Sequence, residues 1–450
     1  MIKKILIALV LLAVVLFGVL PAVGLPLSFI LAAPGVATGI GVKLACSSRY
    51  ITGYDETQAF DDIVEYSPIL KYVDLQYDDD RKRVTATMLG ISKTTASYLP
   101  GLGCAIDYPG HTARQEIQPP EIPQSDLPWP AGNGVTTIDD SAQQLVEKIV
   151  KRDNQNELNT RALLVVKNGQ IIAEAYDQGV GPDSMLLGWS MAKSLTGILI
   201  GHLAYAGRLD LNSKGMFEQW QGDGRKDITL LNMLTMTDGL DFSEVYEPGS
   251  DATSMLFTEP SAANYAMAKA AKHAPGEHFN YSSGTANMLA RIFQQHAGGD
   301  LQSSLDYLVE NIYIPMGISN AVFESDARGG FVGSSYWYAT ARDWARIGYL
   351  MLNKGAINGH RIISEEYVTK ASAPNTSSND HAYGYQWWLN RGNEQLVWPH
   401  LPEDAFAAEG DREQRVVIIP SQDLVIVRIG WSKGSYPTDV NFSEIVAILH

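Results

Sequence analysis

Ser190-Met191-Ala192-Lys193 sets a hydroxyl and an amine three residues apart, opening the apolar run Ser194-Leu195-Thr196-Gly197-Ile198-Leu199-Ile200. Residues at that spacing share one face of a helix. Serine is a weak nucleophile until a base takes its proton, and a lysine serves as that base only when burial or nearby cations lower its pKa. A helix that carries Lys193 inward would supply the burial. These four residues therefore name a nucleophile, Ser190, a base, Lys193, and a reaction class, acyl transfer. About ninety residues on, Pro275-Gly276-Glu277-His278-Phe279-Asn280-Tyr281-Ser282-Ser283 forces a turn and delivers a phenol at the start of the next element. Tyr281 can relay a proton if a cation such as Lys193 lowers its pKa.

These groups need a frame. Leu163 to Val166 and Ile171 to Ala175 flank Asn168-Gly169, a pair suited to the positive φ angles of a type I′ hairpin. Val416 to Ile419 and Leu424 to Val427 form a second hairpin near the C-terminus. The two can join one antiparallel sheet. Helices over 141–151, from Ser190 to about Gly207, and over 441–449 would cover it. Residues 208–330 read as helical and loop segments, including a helix over 262–272. The expected fold class is α+β.

The order of the tetrad, the Pro275–Ser283 segment and the 416–427 hairpin resembles the β-lactamase-related serine hydrolases. That group comprises class C β-lactamases, D-alanyl-D-alanine carboxypeptidases, related esterases and 6-aminohexanoate-dimer hydrolases. Residues 228–240, 338–348 and 383–388 look similar to the same group, so the resemblance covers roughly 140–450. It implies a β-lactamase/transpeptidase-like fold: an antiparallel sheet flanked by helices, with a helical subdomain. It also implies an acyl-enzyme on Ser190, with Lys193 and Tyr281 sharing the proton transfers. Ser283 would take the third place of the family's Tyr-x-Asn element and bond substrate or Lys193. The amides of Ser190 and of Asp411, after Gly410, would form the oxyanion hole.

The third family element departs. Where relatives carry Lys-Thr-Gly or His-x-Gly, this chain reads Ala408-Glu409-Gly410. Ala408 cannot hold a substrate carboxylate and Glu409 would repel one, unless Arg412 or Arg415 compensates. A neutral ester or amide is therefore the expected small-molecule substrate. Two alternatives stay open: a β-lactamase or D-alanyl-D-alanine carboxypeptidase acting on cell-wall peptides, and a non-catalytic binding protein on the same scaffold.

The 450 residues are 45% apolar and 19% charged, with a net charge of −16. That balance supports a large core and disfavours nucleic-acid partners, whose phosphates demand lysine and arginine. Lys3 and Lys4 precede an uncharged stretch from Ile5 to Val42, the grammar of an export signal or membrane anchor. The expected divisions are 1–45 as signal or anchor, 46–108 as a small β-rich segment, 109–136 as a proline-rich linker and 137–450 as the catalytic domain. The protein is expected on the periplasmic or extracellular face, in contact with the membrane through 5–42. An oxidising compartment favours a Cys46–Cys104 bridge. His273 and His278 lack the partners of a metal site, and no cofactor is implied.

Overall fold

The computed structural model describes residues 27–449. Its centre is a six-stranded antiparallel sheet. In spatial order the strands are Trp388–Leu389, Phe406–Gly410, Gln414–Ile419, Leu424–Gly430, Thr160–Lys167 and Gln170–Tyr176. The two expected hairpins meet where Leu424–Gly430 pairs with Thr160–Lys167. Asn168 and Gly169 take the positive φ values, 50° and 71°, that their hairpin turn requires.

Side chains alternate across these strands, and both faces are covered. Leu163, Val165, Val417, Ile419 and Ile426 pack with Val146, Ile149, Phe442 and Ile445 of the helices Asp140–Gln155 and Thr438–Ile448. Leu164, Val166, Val416, Ile418, Val425 and Val427 join the larger core with Ile347 and Leu350 of the helix Ala341–Leu352. Burial on both faces explains why these strands are unbroken runs of Val, Ile and Leu. Gly348 lets the helix Ala341–Leu352 approach closely, since a Cβ there would lie 2.6 Å from Val425 Cγ1. The helical part after the hydrophobic helix Met191–Tyr205 includes Asp251–Phe257, Ser283–His296 and Leu301–Leu308. The helix expected over 262–272 is shorter, Ala262–Met267, and Leu240 forms a β-bridge to Ala271 beyond it.

The β-rich segment is a four-stranded antiparallel meander, Val73–Asp78, Arg83–Met88, Ser92–Leu99 and Gly103–Ile106. It packs on the helix Leu27–Ser47, every residue of which is buried from Val36 to Ser47. The stretch read as 1–45 therefore divides. Its latter part enters the globular fold, and residues 1–26 lie outside the described residues. A helix apolar on all sides suits a protein core as well as a bilayer. Lys43 crosses this core to form a buried ion pair with Glu324. The same carboxylate accepts from Ser47 Oγ at 2.8 Å and from the Cys104 amide at 2.6 Å. Cys46 and Cys104 are disulfide-bonded, tying the helix to the sheet. The proline-rich stretch 109–136 is docked rather than loose. Arg114 is buried and donates to Ser325 Oγ at 3.0 Å, while Arg346 donates to the Pro130 carbonyl at 2.9 Å.

Candidate active site

Ser190 stands at the first turn of the Met191–Tyr205 helix, and its side chain makes no capping bond. Trp189, just before it, has a φ of 48°, an uncommon conformation for a bulky residue. Its ring is pinned by stacking on Tyr66 (5.5 Å between centroids) and by Trp431 (6.0 Å). Among the described residues the Ser190 amide has no acceptor. It stands at a helix N-terminus, where negative charge is favoured.

The helix is buried along almost all of its length, and Lys193 is 1% exposed. Its Nζ donates to Ser190 Oγ at 2.9 Å, Ser283 Oγ at 3.0 Å and the Ser334 carbonyl at 3.1 Å. Burial lowers its ammonium from the ordinary value to about 8, against the opposing pull of Glu244. Glu244 Oε1 lies 4.0 Å from Nζ. This carboxylate also accepts from the Ser283 amide at 2.7 Å and from the Ser283 hydroxyl.

Tyr281 is set by the turn expected before it. Gly276 has a φ of 90°, and the Asn280 amide bonds the Met236 carbonyl at 2.9 Å. Ser282 caps the helix Ser283–His296 by accepting from Thr285 N at 3.0 Å. The Tyr281 ring packs on Trp388 (5.2 Å) and Tyr383 (5.8 Å), and Lys193 Nζ lies 4.7 Å from its centroid. Tyr281 and Ser190 line the same cavity. One expectation is corrected here. Lys193 was to lower the phenol's pKa, whereas burial first and the Glu244 charge second push it up. A lysine that is itself inclined to lose its charge cannot stabilise a phenolate, so Tyr281 remains a protonated phenol.

Gly410 ends its strand against Gly188, where an added Cβ would lie 2.1 Å from the Gly188 carbonyl oxygen. Asp411 follows and lines the same cavity of about 850 Å³ as Ser190, Glu244, Tyr281 and Arg412. All six residues singled out in the sequence are thus gathered around one cavity or in contact with its lining. Ala408 is buried, and Glu409 lies 3.7 Å from Arg415, which also bonds Glu413 at 2.8 Å. Arg412 directs its guanidinium at the Tyr66 carbonyl, 2.7 Å away. Glu244 was missed. It sits in a loop with no local motif, and only folding brings it to Lys193. His273 and His278 stack on each other at 4.3 Å, and Trp337, Trp344 and Trp387 are core residues.

A family model described as Beta-lactamase matches residues 142–441. The chain belongs to the Beta-lactamase family. It is 26% identical over 299 residues to the 6-aminohexanoate-dimer hydrolase of Paenarthrobacter ureafaciens, covering 60% of this chain and 72% of that one. Among solved structures, it resembles a Bacillus anthracis protein provisionally named 6-aminohexanoate-dimer hydrolase. The TM-score is 0.56 at 22% identity, over 76% of this chain and 89% of the other. A class C β-lactamase aligns with a TM-score of 0.52 at 14% identity, over 69% and 97%. These likenesses agree with the β-lactamase/transpeptidase-like α+β fold expected above. The family and its hydrolase relatives make the protein a β-lactamase-related hydrolase.

Proposed function

We propose that this protein is an exported serine hydrolase that cleaves an ester or amide bond through an acyl-enzyme on Ser190. The observation that carries the reading is the 2.9 Å contact between Ser190 Oγ and a buried lysine whose pKa is lowered to about 8. Ser190 Oγ attacks the substrate carbonyl carbon while Lys193 Nζ takes its proton. The oxyanion is met by the amides of Ser190 and Asp411. Tyr281, as a neutral phenol, passes its proton to the departing alcohol or amine as the Lys193 ammonium replaces it with the proton taken from Ser190. Water then hydrolyses the acyl-enzyme, and Ser190 recovers its proton. Ser283 and Glu244 hold Lys193 in place. Export is supported by the Lys3-Lys4 start with its apolar stretch and by the Cys46–Cys104 bridge.

A neutral substrate fits best. Ala408 brings no cation, Arg415 is paired with carboxylates, and Glu244 and Glu247 add negative charge to the cavity wall. The named relative's substrate, a dimer of an amino acid, lends weight to an amide bond, while its carboxylate end speaks for the second reading. One observation in the site also favours the second reading, a carboxylate-bearing β-lactam or cell-wall peptide: Arg412 lines the same cavity. Comparing kcat/KM for a neutral activated ester and for a cephalosporin tests the choice. The proposal requires the ester to win by at least tenfold, and the reverse order would replace it with the β-lactam reading.

A further inference from the structure

Much of the apolar lining of the cavity that holds Ser190 comes from outside the family-matched region. Phe29, Ala33, Val36, Ala37 and Ile40 of the N-terminal helix all line it. Their spacing of four, seven, eight and eleven residues from Phe29 places them along one helix face. Leu70 and Met88 of the β-rich segment complete the apolar wall. Ser190, Tyr281 and Glu244 are polar groups of the same lining. The helical part of the wall runs roughly 16 Å at about 1.5 Å rise per residue. That is the reach of a medium-length hydrocarbon chain.

The surroundings carry the same signature. Ile69 (52% exposed) lines the cavity itself. Leu89 (71%) and Ile91 (70%) stand on the turn after Met88. That turn adjoins the same helix, since Thr38 Oγ1 bonds Ser92 Oγ at 2.9 Å. An exposed apolar side chain in a pocket wall, with others on an adjoining turn, marks a surface that meets apolar ligand.

We propose that the N-terminal helix and the β-rich segment form an acyl-chain site, so that the substrates are esters or amides of linear medium-chain fatty acids. The inference rests on the Ser190 hydrolase reading. The chain lies along the Phe29–Ile40 face, and its carbonyl carbon reaches Ser190. The bond from that carbon to the alcohol oxygen or amine nitrogen breaks, the leaving group takes the proton from Ser190, and water releases the fatty acid. The acyl half stays attached through both steps, so this wall acts on both.

The test uses the full chain and p-nitrophenyl esters from acetyl to decanoyl, each below its micelle concentration. A small fluorophosphonate titrates Ser190 in parallel. The expected kcat/KM rises at least about tenfold from acetyl to decanoyl, under a ceiling of about fourfold per buried methylene. Ala33→Trp fills the wall and should cut the decanoyl-to-acetyl ratio at least about tenfold. Met88→Ala strips another part of the apolar wall and lowers the same ratio, which keeps the test valid if the tryptophan variant misfolds. Fluorophosphonate labelling with a flat or falling series overturns the acyl-chain site alone. Failure to label overturns the hydrolase reading beneath it.

Discussion

If Lys193 is the base, the acylation rate must follow its neutral form. With a pKa of about 8, the neutral fraction is about one in a hundred at pH 6 and about half at pH 8. The rate should therefore rise about fiftyfold from pH 6 to pH 8, and then only about twofold to pH 10. A lysine at its ordinary value would give roughly eightyfold over that upper interval. The cause of the shift is burial, which opposes the charged form, partly offset by Glu244 at 4.0 Å. Glu244→Gln removes the offset, so the pKa falls further and the rising limb moves to lower pH. Single-turnover labelling by an activated ester, followed by stopped flow and corrected for reagent hydrolysis, reads both profiles. A wild-type rate that keeps climbing tenfold per pH unit up to pH 10 would refute burial as the activating device. A limb that moves to higher pH in Glu244→Gln would refute the assigned role of that carboxylate.

Two further changes probe the frame. Glu324→Gln should destabilise the protein by about 3–5 kcal/mol in denaturant unfolding, because it leaves the buried Lys43 charge without its partner; adding Lys43→Met should recover part of that loss. Gly410→Ala should reduce kcat at least tenfold with a smaller change in KM, because its methyl group would strike the Gly188 carbonyl and displace the Asp411 amide; an unchanged kcat would remove Asp411 from the oxyanion hole.

The chemistry was legible where it is local. Ser190 and Lys193 are one helical turn apart, and a turn signal precedes Tyr281, so spacing nominates these residues and the family resemblance supplies their roles. The sheet was legible because unbroken Val and Ile runs on two hairpins demand cover on both faces. Long-range contacts left no such trace. Glu244 reaches Lys193 across 51 positions of chain, and Glu324 reaches Lys43 across 281. The helix Leu27–Ser47 was masked by its composition, since an apolar stretch near an N-terminus reads as an export segment whether its end finally meets lipid or core. The direction of the Tyr281 shift was misread because a nearby lysine looks like a positive charge in a sequence. The folded site instead buries both groups and sets the Glu244 carboxylate near them.

The most direct measurement is the intact mass of the purified protein and its Ser190→Ala variant, quenched shortly after mixing with an activated ester. The account predicts an acyl adduct on the wild type, mapped to the peptide containing Ser190 and lost on longer incubation, with none on the variant. No adduct on folded wild type, or an equal adduct on Ser190→Ala, would contradict it.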